Sequence, residues 1–235
     1  MHQPHNPGRR GGGLALSAAG LLLVSFLIGW LALGGASVTW EAGILRALRQ
    51  PDNPALGVGP SGTAVGFWLV SFLGSYAWLS AMAAAGCAFL AATGRRRLAL
   101  AVLCAVASAI LAALALKVLA GRPRPEVVPH LGGFTGASFP SSHAMLSIAV
   151  YGTLAVALAA SRTSRWLACL AAIALAAVIG FSRLYLGVHW PTDVLAGWCL
   201  GGAWLLGFTW FCGPSGAGRA RTPPRRDHAP PQQPG

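Results

Sequence analysis

The chain has 235 residues, 55% of them hydrophobic and only 9% charged, with 17 Lys and Arg against five Asp and Glu for a formal charge of +12. Soluble proteins carry charge on roughly 25% of their residues, so this composition excludes an ordinary water-soluble domain and points to a membrane protein. The basic excess does not point to nucleic acid. Eleven arginines fall in four short clusters, Arg9 with Arg10, Arg95 to Arg97, Arg162 with Arg165, and Arg219, Arg221, Arg225 with Arg226, each flanking an apolar run as orientation signals do.

In chain order, residues 1–13 read as a short basic tail. The apolar run from Leu14 to Gly35 is long enough to span and is followed by no cleavage pattern, so it is expected to remain as the first helix. Residues 36–63, with Pro51, Pro54 and Pro60, read as an outer loop with a short amphipathic helix around 41–49, to which no chemistry is assigned. The run at 66–92 exceeds the roughly 20 residues a bilayer needs. Gly74, Ser75, Tyr76 and Trp78 in its outer half suggest that Phe67 to Phe72 lies along the interface before the chain turns inward.

Further spans are predicted at 98–119, 142–160, 166–182 and 191–212, and the Gly-, Pro- and Arg-rich stretch 213–235 reads as a disordered cytoplasmic tail. Cys87, Cys104, Cys169, Cys199 and Cys212 lie in or beside apolar runs without CxxC spacing and read as small core residues. The fold class is therefore all-α, an integral membrane six-helix bundle over residues 14–212. Six spans place both termini on one side, and a cytoplasmic amino terminus puts all four arginine clusters inside.

The six remaining basic residues, Arg46, Arg49, Lys117, Arg122, Arg124 and Arg183, then fall at the outer face, where orientation does not need them. An ionisable group at a helix centre in the membrane costs roughly 2.5–3.5 kcal/mol and marks function by default. Four of the six belong to three stretches, at 117–125, 140–143 and 182–193. In the first, Lys117 ends a span and Arg124 follows behind Gly121 and Pro123, so the helix must stop and turn, bringing two cations together.

In the second, Ser141 suits a helix N-cap, with Ser142 and His143 in the first turn, where free N–H groups attract an anion. In the third, Pro191 suits the first helical position and Asp193 the third, from which its carboxylate can reach His189 and fix the imidazole tautomer. Arg183 approaches the same point from the end of the preceding span. Three cations, two imidazoles and one carboxylate on one face suit the handling of a phosphate.

In order, these stretches resemble the signatures KxxxxxxRP, PSGH and SRxxxxxHxxxD of the type 2 phosphatidic acid phosphatase superfamily. The first and third match at every fixed position, and Ser142 stands where the pattern has Gly. The resemblance implies that His189 attacks phosphorus, Asp193 orients it and His143 protonates the leaving oxygen, while Lys117, Arg124, Ser141, the Ser142 backbone and Arg183 hold the nonbridging oxygens. If the Ser142 position requires positive φ the substitution is strained; if only its N–H is used, Ser serves as well.

The expected protein is a bacterial plasma-membrane phosphatase, facing the periplasm or cell exterior, that releases the terminal phosphate of a lipid phosphate or pyrophosphate. Undecaprenyl pyrophosphate, phosphatidylglycerol phosphate and phosphatidic acid all fit. No metal or other cofactor is implied, its partners are the lipid substrate and the bilayer, and oligomeric state is unassigned. A phosphotransferase using the same phosphohistidine, and a non-catalytic anionic-lipid transporter or binding protein, are the competing readings. Arg122 matches no fixed position and is read as touching substrate or lipid, His130 and Glu126 as ordinary loop residues, and Tyr185 and Trp190 as interfacial anchors.

Overall fold

The computed structural model describes residues 7–35, 38–133 and 135–212, with side chains from Gly12 onward; the carboxy-terminal tail and residues 1–6 lie outside the described residues. The elements in order are α1 (Pro7–Leu33), α2 (Val38–Ala47), β1 (Arg49–Gln50), β2 (Asn53–Gly57), α3 (Thr63–Phe72), α4 (Tyr76–Ala92), α5 (Arg96–Ala120), α6 (Ser142–Leu158), α7 (Arg162–Tyr185) and α8 (Pro191–Phe211).

Local chemistry sets the helix ends that matter for the site. Gly121, at φ 56°, closes α5 by returning its N–H to the Lys117 carbonyl, and Pro123 and Pro125 keep the chain from continuing as helix. Ser141 caps α6. Pro191 opens α8, and the Asp193 side chain accepts the Trp190 N–H at 2.9 Å from the third helical position.

Four helices, in α1, α5, α7 and α8, are long and apolar enough to cross a membrane, and α3 with α4 forms a fifth candidate bent by 45°. That bend falls where the chain is expected to turn after Phe72. The expected sixth span is α6, which has 17 residues and is short against the roughly 20 usual for a crossing. It lies at the centre, packed against α4, α5, α7 and α8, while α1 packs along α8.

Leu79, Leu90, Val102, Met145, Leu146 and Val150 form its core. Phe26, Trp30, Val118 and Leu119 stand outward, Val118 and Leu119 at 83% and 82% exposure. Apolar surface of this extent is stable against lipid and costly against water, so the protein is a multi-pass membrane protein.

The closest seam runs between α6 and α8. A Cβ at Gly197 would stand 2.7 Å from the Ser141 carbonyl oxygen, and one at Gly201 would collide with the Met145 carbonyl. Two glycines four residues apart let the two backbones touch, which fixes the start of α8 against the start of α6.

The segment read as an outer loop is more ordered than expected. It holds α2 and, against the all-α expectation, a two-stranded antiparallel hairpin in which Gln50 pairs with Asn53. Pro51 and Asp52 form the turn, because Pro supplies the φ that its first central position needs, and the Asn53 side chain accepts the Ala55 N–H.

Candidate functional site

The three motif stretches meet at one end of the bundle. Lys117 is near the carboxyl end of α5, Arg183 near that of α7, and His143 and Asp193 in the first turns of α6 and α8. Arg95 to Arg97 and Arg162 sit at the opposite ends of α5 and α7, about 32 Å from Lys117 and Arg183 at 1.5 Å per residue.

The loop between α5 and α6 folds over the cations. Lys117 Nζ donates to the Ala137 carbonyl at 2.7 Å. Arg124 donates through Nε to Gly136, through Nη1 to Val188 and through Nη2 to Thr135, at 3.0, 2.7 and 3.1 Å. Arg183 is buried and donates to the Ser71 hydroxyl. His143 lies within electrostatic reach of Arg183, His189, Lys117 and Arg124. All eight residues expected to form the site are thus gathered at one end.

His189 is 2% exposed, and its Nδ1 faces Asp193 Oδ2 at 3.3 Å. With the proton on Nδ1, the lone pair is on Nε2, which stands 3.4 Å from Arg124 Nη1. Burial, and then the charges of Arg183, Lys117 and Arg124, push the His189 imidazole well below its usual range; a backbone hydrogen bond with Ser138 opposes them. The ring is therefore neutral at pH 7, as a nucleophile or base requires. Burial also lowers the Arg124 guanidinium, with Asp193 acting against it.

Ser142 is the first residue of α6, and among the described residues positive φ occurs only at glycines. The Ser that replaces the family Gly is therefore unstrained. Its hydroxyl accepts a hydrogen bond from Tyr76 at 2.8 Å.

Three expectations are corrected. Arg122 touches neither lipid nor the mouth of the site: it is 5% exposed and donates to Asp193 Oδ1 at 2.6 Å and Glu41 Oε2 at 2.8 Å. Segment 36–63, read as an outer loop, instead packs into the molecule beside Asp193: Glu41 on α2 is fully buried and also accepts the backbone N–H and hydroxyl of Thr192. Tyr185 and Trp190 are internal, not interfacial. The Tyr185 hydroxyl donates to the Val58 carbonyl, and Trp190 donates to Pro123 and lies against the Arg122 guanidinium. Tyr185 lies against Gly57, and Trp190 clusters with Ala42, Leu45 and Val128, so both rings are covered by segment 36–63. Glu126 is exposed and His130 bonds the nearby Pro125 carbonyl, as ordinary loop residues do.

The break between α3 and α4 supplies further residues missed in the sequence. Ser71 meets Arg183, Tyr76 meets Ser142, and a Cβ at Gly74 would stand 3.1 Å from the His143 ring. An apolar run interrupted by Gly74 and Ser75 beside Tyr76 and Trp78 was the signal for this wall.

Residues 97–215 match the family model described as the PAP2 superfamily. An undecaprenyl-diphosphatase of Sulfolobus acidocaldarius is 42% identical over 71 residues, 30% of this chain and 31% of that protein. Phosphatidylglycerophosphatase B of Bacillus subtilis is 39% identical over 93 residues, 37% of this chain and 44% of that protein. Each alignment therefore spans less than half of the relative. Among solved structures, a transmembrane PAP2-type phosphatidylglycerolphosphate phosphatase from Bacillus subtilis superposes with a TM-score of 0.77 at 23% identity, over 87% of this chain and 99% of that one. LpxE of Aquifex aeolicus gives 0.51 at 23% identity, over 71% and 91%.

Proposed function

The chain belongs to the PAP2 superfamily, and we propose that it is a lipid phosphate or pyrophosphate phosphatase that works through a phosphohistidine. The observation that carries this reading is a buried imidazole whose Nδ1 faces a carboxylate while its Nε2 faces an arginine of a three-cation cluster. A carboxylate behind one nitrogen and phosphate-binding charge before the other is the arrangement an attacking imidazole needs.

In the first step His189 Nε2 forms a bond to the terminal phosphorus as the bond to the lipid-side oxygen breaks, and His143 gives that oxygen a proton. Water then attacks the phosphorus, His143 takes a proton from it, and the bond to His189 Nε2 breaks with its electron pair returning to the ring, releasing inorganic phosphate. Lys117, Arg124, Arg183, the Ser141 hydroxyl and the first-turn backbone of α6 hold the nonbridging oxygens. Opposite charges about 4 Å apart are worth about 4 kcal/mol at an effective dielectric of 20, so this clamp stabilises the transferring group without a metal.

The substrate class is a lipid carrying a terminal phosphate, of which undecaprenyl pyrophosphate, phosphatidylglycerol phosphate and phosphatidic acid are the candidates. In this reading α6 is the central crossing of a six-span bundle. Both termini are cytoplasmic, and the site faces the periplasm or cell exterior, in line with arginine clusters at the ends of α5 and α7 away from the site. Purified protein in detergent is tested with these lipids plus EDTA and without an acceptor alcohol. Phosphate release that persists in EDTA and disappears in His189→Ala is expected; dependence on a divalent metal, or survival of turnover in His189→Ala, overturns the mechanism.

A further inference from the structure

Glu41 and Arg122 form a closed network behind the His189–Asp193 pair. Asp193 divides its two oxygens: Oδ2 accepts the Trp190 N–H at 2.9 Å and faces His189, while Oδ1 accepts Arg122 Nη1 at 2.6 Å. The other guanidinium nitrogen, Nη2, donates to Glu41 Oε2 at 2.8 Å. Glu41 is held in turn by Thr192, whose N–H and hydroxyl both reach Oε1 and whose hydroxyl oxygen accepts from Arg122 Nη1 at 2.8 Å. The side chains of Glu41, Arg122 and Asp193 are 0, 5 and 0% exposed, so water screens these charges little.

Charge counting separates a device from a brace. Arg122 alone would cancel Asp193 and leave the imidazole facing a neutral pair. Glu41 restores a net charge of −1 to the trio. That charge matters when Nε2 bonds to phosphorus, because the ring becomes positive while Nδ1 keeps its proton. Arg124 from the loop faces Nε2 at 3.4 Å, and Arg183 from α7, Lys117 from α5 and His143 from α6 lie within electrostatic reach of the ring; their positive charge opposes a positive imidazole. The excess carboxylate is the only acidic counterweight among the described residues, since Asp52 lies on the hairpin turn and Glu126 is exposed in the loop.

We infer that Glu41 is a positioning residue for the reaction: acting through Arg122, it leaves the Asp193 charge uncancelled toward His189. This rests on the phosphatase reading above, in which His189 is the nucleophile.

The test compares wild type with Glu41→Gln, Arg122→Gln and the double variant, measuring kcat, KM and the pH profile of phosphate release, with thermal midpoints in detergent. Glu41→Gln makes the trio neutral. We expect a kcat loss of about tenfold, an acid limb of kcat/KM moved down by about one pH unit, and KM within about twofold. The double variant returns the trio to −1 and is expected to recover the limb and part of kcat.

A purely mechanical brace predicts the reverse, with the double variant worse than either single one and the limb unmoved, and that result overturns the inference. If Glu41→Gln does not fold, Glu41→Asp, which keeps the charge, takes its place, and loss of the wild-type pH limb in that variant counts against the proposal. Wild-type turnover that is independent of His189 refutes the parent reading instead. His189-dependent turnover with unchanged kcat and limb in Glu41→Gln refutes this inference alone.

Discussion

The starts of α6 and α8 lie side by side, joined by the Ser141 N–H on the Asp193 carbonyl at 3.0 Å, and the protein treats them in opposite ways. Each helix start carries unsatisfied N–H groups and the positive end of a dipole, and so attracts an anion. At α8 the protein supplies the anions itself: Asp193 from the first turn bonds the Trp190 N–H, and Glu41 from α2 bonds the Thr192 N–H. At α6 the first turn has no acidic residue, the cap is an uncharged serine, and the surrounding charges are cations. One start is filled by protein carboxylates and, in the proposed mechanism, orients the nucleophile. The other is left electropositive and suits a phosphate that arrives from outside. The proposed function rests on this division of anions between the two helix ends.

The largest expected effect is on the electropositive side. Arg183→Lys keeps the charge but loses the planar fork, and charge-assisted hydrogen bonds are worth about 1.5–3 kcal/mol. The kcat/KM of phosphate release should fall by about 10- to 100-fold, and a loss under about threefold would remove Arg183 from the clamp.

The α8 side is read by pH. Because burial and neighbouring cations depress His189, activity should persist as pH falls through the ordinary imidazole range and vanish only below it. The acid limb of kcat/KM should lie under about pH 6.5, and a limb at or above that value breaks the assignment. Stability carries the same sign. The His189 contribution is present above its unfolded value and is lost as pH falls through the lower folded one, so a detergent thermal midpoint should drop in the same acid window.

Separating the two helix starts physically should cost less. Gly197→Ala inserts a methyl 2.7 Å from the Ser141 carbonyl oxygen, and overpacking of this kind costs about 1–3 kcal/mol. A lowered thermal midpoint with reduced kcat is expected, while an unchanged midpoint would mean that the seam is looser than it looks.

The smallest effect belongs to Ser142. Restoring the family residue with Ser142→Gly removes one hydrogen bond worth about 1 kcal/mol. Tyr76→Phe should have a similar effect, and the two together should be no worse than either alone in a double-mutant cycle of kcat/KM.

How much of this was legible in the sequence follows from the range of each interaction. Lys117 with Arg124, and His189 with Asp193, sit close in the chain, and the helix-stop and helix-start signals between them fix their relation. Arg183 and His143 joined them through the topology that the arginine clusters imply. Glu41 could not be paired in this way, because Arg122 and Thr192 lie 81 and 151 residues away and an acidic residue in a short amphipathic helix usually faces solvent. The available signal was scarcity: the chain has only five acidic residues, and Arg122, with no motif role at membrane depth, called for one of them. The hairpin at 49–57 was hidden for a different reason. Its strands are two and five residues long, too short for an alternating pattern.

Val118 and Leu119 follow directly after Lys117 and face outward almost completely. A lipid whose phosphate is held by that lysine can leave its chains lying against these two residues, within the bilayer. Under the proposed function such a ligand would reach the site sideways without passing through water, so its bulk molarity would have little meaning. The concentration that governs the rate is a surface quantity, the mole fraction of substrate among its neighbouring lipids. Diluting the membrane with inert lipid should then slow phosphate release, while diluting the whole suspension should leave it unchanged.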